Sequence, residues 1–212
     1  MNTDSLRHRL NKDEINALPQ FQYDGPVHLV CTPEELAAAL PPLRAAKLLG
    51  FDTETRPSFR KGRQNAPALL QLATRNAVYL IRLSILPFDR QLAAILANPT
   101  QIKTGVAIRD DMCSLAKLYD FEPAGLTDLG GVARAHKLPC QGLRTIAAQF
   151  FGWRISKGSQ CSNWERSQLT PQQIAYAATD AWIGRLIFLR MCALGFIPMQ
   201  PGEPDGELPN DD

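Results

Sequence analysis

No apolar run in this 212-residue chain approaches the roughly 20 residues that a membrane-spanning helix requires. The opening stretch MNTDSLRHRLNKDEINAL is charged throughout and lacks the apolar segment of a secretory signal. Cysteine is scarce and scattered. Cys31, Cys113, Cys140, Cys161 and Cys192 form no C-x-x-C pair, and their number is odd. That set argues against a disulfide framework or a zinc finger and fits a reducing cytoplasm. His8, His28 and His136 show no metal-ligand spacing, so they carry no catalytic expectation. There is no internal repeat, and the acidic C-terminus is the one biased tract.

What is present is enough for a core. Hydrophobic residues make up 45% of the chain and charged residues 21%, with a mean hydropathy of −0.18. Such a balance excludes intrinsic disorder over most of the length and suits one globular unit with short extensions. The net charge of +2 is unevenly placed. Glu203, Asp205, Glu207, Asp211 and Asp212 give the last ten residues −5, which leaves +7 on the rest. A basic body raises the expectation of an anionic ligand.

Polar residues 1–26 end at Gly25-Pro26 and read as an N-terminal arm; residues 27–198 read as the folded domain, and 199–212 as an acidic, disordered tail. A strand is expected at 27–31. Thr32-Pro33-Glu34-Glu35 then combines an N-cap, a proline at the first helical position and a capping box. Pro41-Pro42 predicts a break in that helix. Short apolar runs at 48–55, 68–72 and 77–81 read as a strand meander, followed by a helix at 88–97 and a strand at 102–108. Helices are expected at 110–119, 128–137, 142–151 and 171–194, the last starting in another capping box at Thr170-Pro171-Gln172-Gln173. Strands first, then helices, predict an α/β fold with a mixed sheet.

Acids stand where apolar residues belong. Asp52 and Glu54 continue the strand begun by Leu48–Phe51, and period-two alternation puts both carboxylates on one face. Paired carboxylates repel unless a cation lies between them, and hard divalent metals take such oxygen ligands. A solvated turn capped by Asp52 would leave the same local pattern. Asp111 shares a helical stripe with Leu115 and Leu118, whereas Asp110 falls with Ser114 and Lys117 and reads as a helix cap. Tyr176 and Asp180 lie four residues apart, on one face of the last helix, with the small Ala177 and Ala178 between them. Trp164 reads as core and Asp128 as a helix cap.

Taken in order, Asp52-x-Glu54, Asp111 and Tyr176-x-x-x-Asp180 resemble the DEDD exonuclease superfamily in its tyrosine-containing branch (DEDDy). Ala68–Leu72, Gly105–Asp111 and the stretch Cys161-Ser162-Asn163-Trp164 followed by Leu169-Thr170 extend the resemblance, which is similar to Werner-type and ribonuclease D-like members. It covers residues 27 to 195. It implies a ribonuclease H-like mixed β-sheet flanked by α-helices and a hydrolase that removes nucleoside 5′-monophosphates from a 3′ end. It further implies two divalent ions, Mg2+ or Mn2+. Asp52, Glu54 and Asp180 would hold the ion that binds the attacking water. Asp52 would bridge to a second ion supported through water by Asp111, and Tyr176 would orient the nucleophile. The implied partner is a DNA or RNA 3′ end, and the chain reads as a stand-alone nuclease.

The loop from Arg56 through Phe59, Arg60, Lys61 and Arg63 is a candidate for backbone contacts, or equally a solvated connector. Lys157 is a further phosphate candidate, and Phe59 could stack on a terminal base. Two other readings compete: a non-catalytic nucleic-acid-binding module on the same fold, and a haloacid-dehalogenase-like phosphatase built on Asp52-Thr53-Glu54-Thr55. The phosphatase normally wants aspartate at position 54.

Overall fold

The computed structural model describes residues 6–58 and 65–198. The tail 199–212 and loop residues Phe59, Arg60, Lys61 and Arg63 lie outside them. In chain order the elements are α1 (Lys12–Ala17), β1 (Gln20–Phe21), β2 (Val27–Val30), α2 (Pro33–Ala45), β3 (Leu48–Thr55), β4 (Pro67–Ala73) and β5 (Val78–Ile81). They continue with α3 (Arg90–Leu96), β6 (Ile102–Gly105), α4 (Ile108–Ala116), β7 (Leu126–Asp128), α5 (Leu129–Ala135), α6 (Leu143–Phe151), β8 (Arg154–Ile155) and α7 (Pro171–Ala193).

Six strands form one mixed sheet in the order β2-β5-β4-β3-β6-β7. The meander is antiparallel: β3 pairs with β4 and β4 with β5, while β2–β5, β3–β6 and β6–β7 are parallel. Helices cover both faces. Leu49, Phe51, Leu70 and Leu72 meet α2, α3 and α4 in one apolar cluster. On the opposite face Ala177, Ala178 and Ala181 of α7 pack against Leu69, Ala73 and Leu80. This is the mixed α/β, ribonuclease H-like architecture expected from the element order. No helix of the described residues is long and apolar enough to cross a membrane.

Four local expectations need correction. Helix α2 runs through Pro41 and Pro42 without ending. The carbonyls their missing N–H groups leave unserved belong to exposed Ala37 and Ala38, where water can reach, while Ala39, Leu40 and Leu43 stay anchored in the core. Strand β6 stops at Gly105 rather than 108, because Ala107 adopts a left-handed conformation (φ 58°) and the chain turns directly into α4. Asp110 therefore caps nothing. Ala107 is the N-cap, and the Asp128 carboxylate accepts the Ala107 N–H at 3.0 Å while capping α5 through Gly130 N. Because α4 ends at Ala116, Leu118 lies past the helix and stays 41% exposed instead of joining a buried stripe.

Residues 6–26 are docked on this body. Leu6 is fully buried among residues of α6 and α7, and β1 pairs in parallel with β8. Phe21 stacks on Trp153 with ring centroids 4.2 Å apart. Asn11 and Glu14 build a capping box that starts α1 against β8.

Candidate active site

Strand β3 is interior to the sheet, and its alternation divides the site's residues between two faces. Gly50, Asp52 and Glu54 face α7; Phe51 and Thr53 face the α4 layer. Gly50 is what lets the helix come close: a Cβ there would lie 2.0 Å from the Ala181 carbonyl oxygen. That approach carries Asp180, one residue before Ala181, onto the two strand acids. Carboxylate oxygens of Asp52, Glu54 and Asp180 all lie within 4.8 Å of one another. Among the described residues no other group of three such side chains forms a comparable cluster.

Asp111 reaches the same strand end from the other face. Its carboxylate accepts a hydrogen bond from the Thr53 hydroxyl, and it stands outside the three-acid cluster. Asp52 nevertheless feels both Asp180 and Asp111 electrostatically, so it is the acid common to the two sides.

Burial dominates the proton affinities. Asp52 is pushed well above the usual carboxylate range by burial, then by Asp180 and Asp111. Burial and the neighbouring carboxylates take Glu54 up to about 10. Asp180 rises to about 6 for the same first reason, with Arg144 and the Tyr176 hydroxyl pulling the other way. Asp111 reaches about 6 through burial, opposed by its bond from Thr53. Burial and nearby Asp180 and Glu54 push the Tyr176 phenol far up, so it stays protonated at any physiological pH.

A divalent cation fits this donor set. Asp180 Oδ1 is buried with no hydrogen-bond partner, and crowded carboxylates of high proton affinity gain from a cation placed among them.

Sequence reasoning missed Arg144, on the first turn of α6. Its Nη2 donates to the Tyr176 hydroxyl at 2.6 Å, Nη1 donates to Gln160 Oε1 at 3.2 Å and Nε donates to the Ser156 carbonyl at 3.0 Å. The guanidinium sits 5.5 Å from the Tyr176 ring centre and lowers the proton affinity of Asp52, Glu54 and Asp180. Nothing local marks it, since its partners come from the loop after β8 and from α7. Thr53 was legible only as the residue between two acids.

These groups surround a cavity of about 410 Å3 lined by Asp52, Glu54, Arg144, Lys157, Gln160, Tyr176 and Asp180 among others. Five of the expected site residues, Lys157 included, are thus brought together on one hollow. Asp111 joins it through Thr53, which also lines it. Arg56 is engaged elsewhere, in a half-exposed ion pair with Glu165 at 3.1 Å. Trp164 is fully buried in the core.

A six-stranded mixed sheet with carboxylates gathered at the end of an interior strand and on the helix crossing it defines a ribonuclease H-like fold carrying an acidic site. The pattern of a 3′–5′ exonuclease family matches residues 27–193, and the chain belongs to that family. The mouse bifunctional 3′–5′ exonuclease/ATP-dependent helicase WRN is 32% identical over 155 residues, 70% of this chain but 11% of that protein. Ribonuclease D of Acidiphilium cryptum is 32% identical over 170 residues, covering 78% of this chain and 42% of the relative. This chain thus spans less than half the length of either. In fold it superposes on the Aedes aegypti Nibbler EXO domain with a TM-score of 0.73 at 23% identity, covering 93% of this chain and 96% of that one. Escherichia coli RNase D gives 0.69 at 24% identity over 80% of this chain and 46% of its own.

Proposed function

We propose that this chain hydrolyses the terminal phosphodiester at the 3′ end of a nucleic acid, releasing nucleoside 5′-monophosphates. The observation that carries the reading is the trio of half-buried Asp52 and buried Glu54 and Asp180 within 4.8 Å, beside a protonated tyrosine held by an arginine. Membership of a 3′–5′ exonuclease family supports it. Two ions, Mg2+ or Mn2+, are proposed: Asp52, Glu54 and Asp180 would hold one, and Asp52 with Asp111 the other. When bound they supply Lewis-acid stabilisation of the charge that develops on the phosphate and its leaving group.

The chain's own groups perform the remaining tasks. Tyr176, kept as a neutral phenol, orients the attacking water by a hydrogen bond and cannot serve as a phenolate base. The Arg144 bond to its oxygen fixes the ring's position. The same guanidinium faces the cavity, where its positive charge stabilises a transferring phosphate in a partly dry site. Lys157 provides a point charge for the backbone at the cavity wall. A cytoplasmic setting is proposed from the odd number and scattered spacing of the five cysteines in the sequence.

Relatives named for both helicase-linked exonuclease and ribonuclease D activities support either nucleic acid as substrate. The test is digestion of end-labelled single-stranded DNA, duplex DNA and RNA with magnesium or manganese. Release of mononucleotides from the 3′ end is expected, lost in Asp52→Ala and Asp180→Ala while the circular dichroism spectrum is unchanged. Either variant retaining near-normal turnover in excess metal refutes the assignment. Binding without any mononucleotide release would instead identify a non-catalytic module.

A further inference from the structure

A second hollow borders the catalytic cavity. It is a groove of about 930 Å3 between the N-terminal arm and the α6–β8 region. Gly142, Arg144, Thr145 and Lys157 line both it and the catalytic cavity, so the two spaces adjoin. One wall comes from the arm: Arg9 and Lys12 lie on it, both exposed, and both precede residue 27 where the family match begins. The other wall adds Arg154. Five cationic side chains therefore line the groove, and among the described residues no aspartate or glutamate does.

The arm is held firmly enough to act as a wall. Leu6 is buried in the body, β1 pairs with β8, and Phe21 stacks on Trp153. Glu14 of the arm is turned to another use: it accepts the Asn11 N–H at 2.6 Å and lies 3.6 Å from His8. Charge of one sign along a groove that adjoins the catalytic cavity matches a polyanion, and lysines and arginines on backbone phosphates position a strand without reading its sequence.

We propose that this groove binds the sugar–phosphate backbone of a single strand leading away from the catalytic cavity, with Arg9 and Lys12 of the arm gripping its phosphates. The inference rests on the exonuclease reading for the direction of the strand, and on the groove's charge for binding itself. The arm thereby makes affinity depend on substrate length, which the catalytic cavity alone does not.

The experiment compares the full chain with an Arg9→Ala/Lys12→Ala double variant. Fluorescence anisotropy is measured with labelled dinucleotide and decanucleotide DNA and RNA strands, in calcium, over a range of salt concentrations. Two lost single-strand phosphate contacts at about 0.7 in the log–log salt slope each predict about tenfold weaker decanucleotide binding at physiological salt. The slope should become shallower by about 1.4. The affinity gained on lengthening the dinucleotide should shrink by the same factor. An unchanged decanucleotide affinity and salt slope overturn the proposal, as does a wild-type chain that binds both lengths equally. Charge reversal at both positions, Arg9→Glu/Lys12→Glu, should weaken long-strand binding further, with thermal melts showing an intact fold. Loss of long-strand binding in a chain that releases no mononucleotide would uphold the groove and refute the exonuclease reading, so the two failures are distinguishable.

Discussion

Tyr176 illustrates how one side chain acquires a role from its surroundings. Alone it is a phenol on a helix; with Arg144 donating to its oxygen and Asp180 a turn away, its proton is retained and its position fixed. Removing the hydroxyl should leave the carboxylates in place. Tyr176→Phe is expected to lower kcat about a hundredfold, the loss typical of one oriented hydrogen-bonding group at a reaction centre. Calorimetric titration of manganese should show affinity close to wild type. At this scale the sequence was legible where chemistry follows spacing. Asp52 and Glu54 share a face because strands alternate, and Tyr176 and Asp180 because helices repeat. Arg144 was not legible, since a lone arginine at a helix start has no local feature that distinguishes it from a solvated one.

Among the elements, the contact between β3 and α7 assembles the site. Gly50 lies against the Ala181 carbonyl, and the small residues Ala177, Ala178 and Ala181 keep the helix flat on the sheet. Gly50→Ala would put a methyl group 2.0 Å from that carbonyl oxygen, which neither backbone can accommodate without moving. A destabilisation of about 3 kcal/mol is expected in urea denaturation, with weakened metal binding because Asp180 withdraws with its helix. Most elements were readable from capping boxes and apolar runs, and α2, α6 and α7 begin within a residue or so of where their signals fall. The short strands β1, β7 and β8 were not. Each has two or three residues, too few to show a period, and each exists only because a partner strand is alongside.

At the scale of the whole molecule, the acidic site is a source of instability that a cation relieves. In the metal-free protein the folded proton affinities of Glu54 and Asp180 are raised, to about 10 and about 6, above the roughly 4 of an unfolded chain. A folded state that binds more protons than the unfolded one loses stability as pH rises. The site's contribution is therefore fully favourable below about pH 4, and declines through about pH 6 as Asp180 ionises and on toward pH 10 for Glu54. Melting temperatures of chelator-treated protein should fall across this window. Added manganese, which binds the ionised acids, should raise them more at mildly alkaline than at acidic pH. Asp52→Asn should flatten the metal-free decline by removing one of the repelling charges.

The basic remainder of the chain takes on a location in the same view. A +7 body with an acidic tail was a hint of an anionic ligand and no more. Folding collects Arg9, Lys12, Arg144, Arg154 and Lys157 along one groove that adjoins the cavity holding the carboxylates. By itself the sequence determined the acids, the tyrosine and the helices that carry them, because those depend on alternation, turn and cap geometry within a few residues. Only the tertiary structure decided that Asp111 meets Thr53 across the strand, that Arg144 holds Tyr176, and that the arm forms a wall. Those contacts join residues far apart in the chain. They depend on strand order and helix docking, which short-range spacing does not specify.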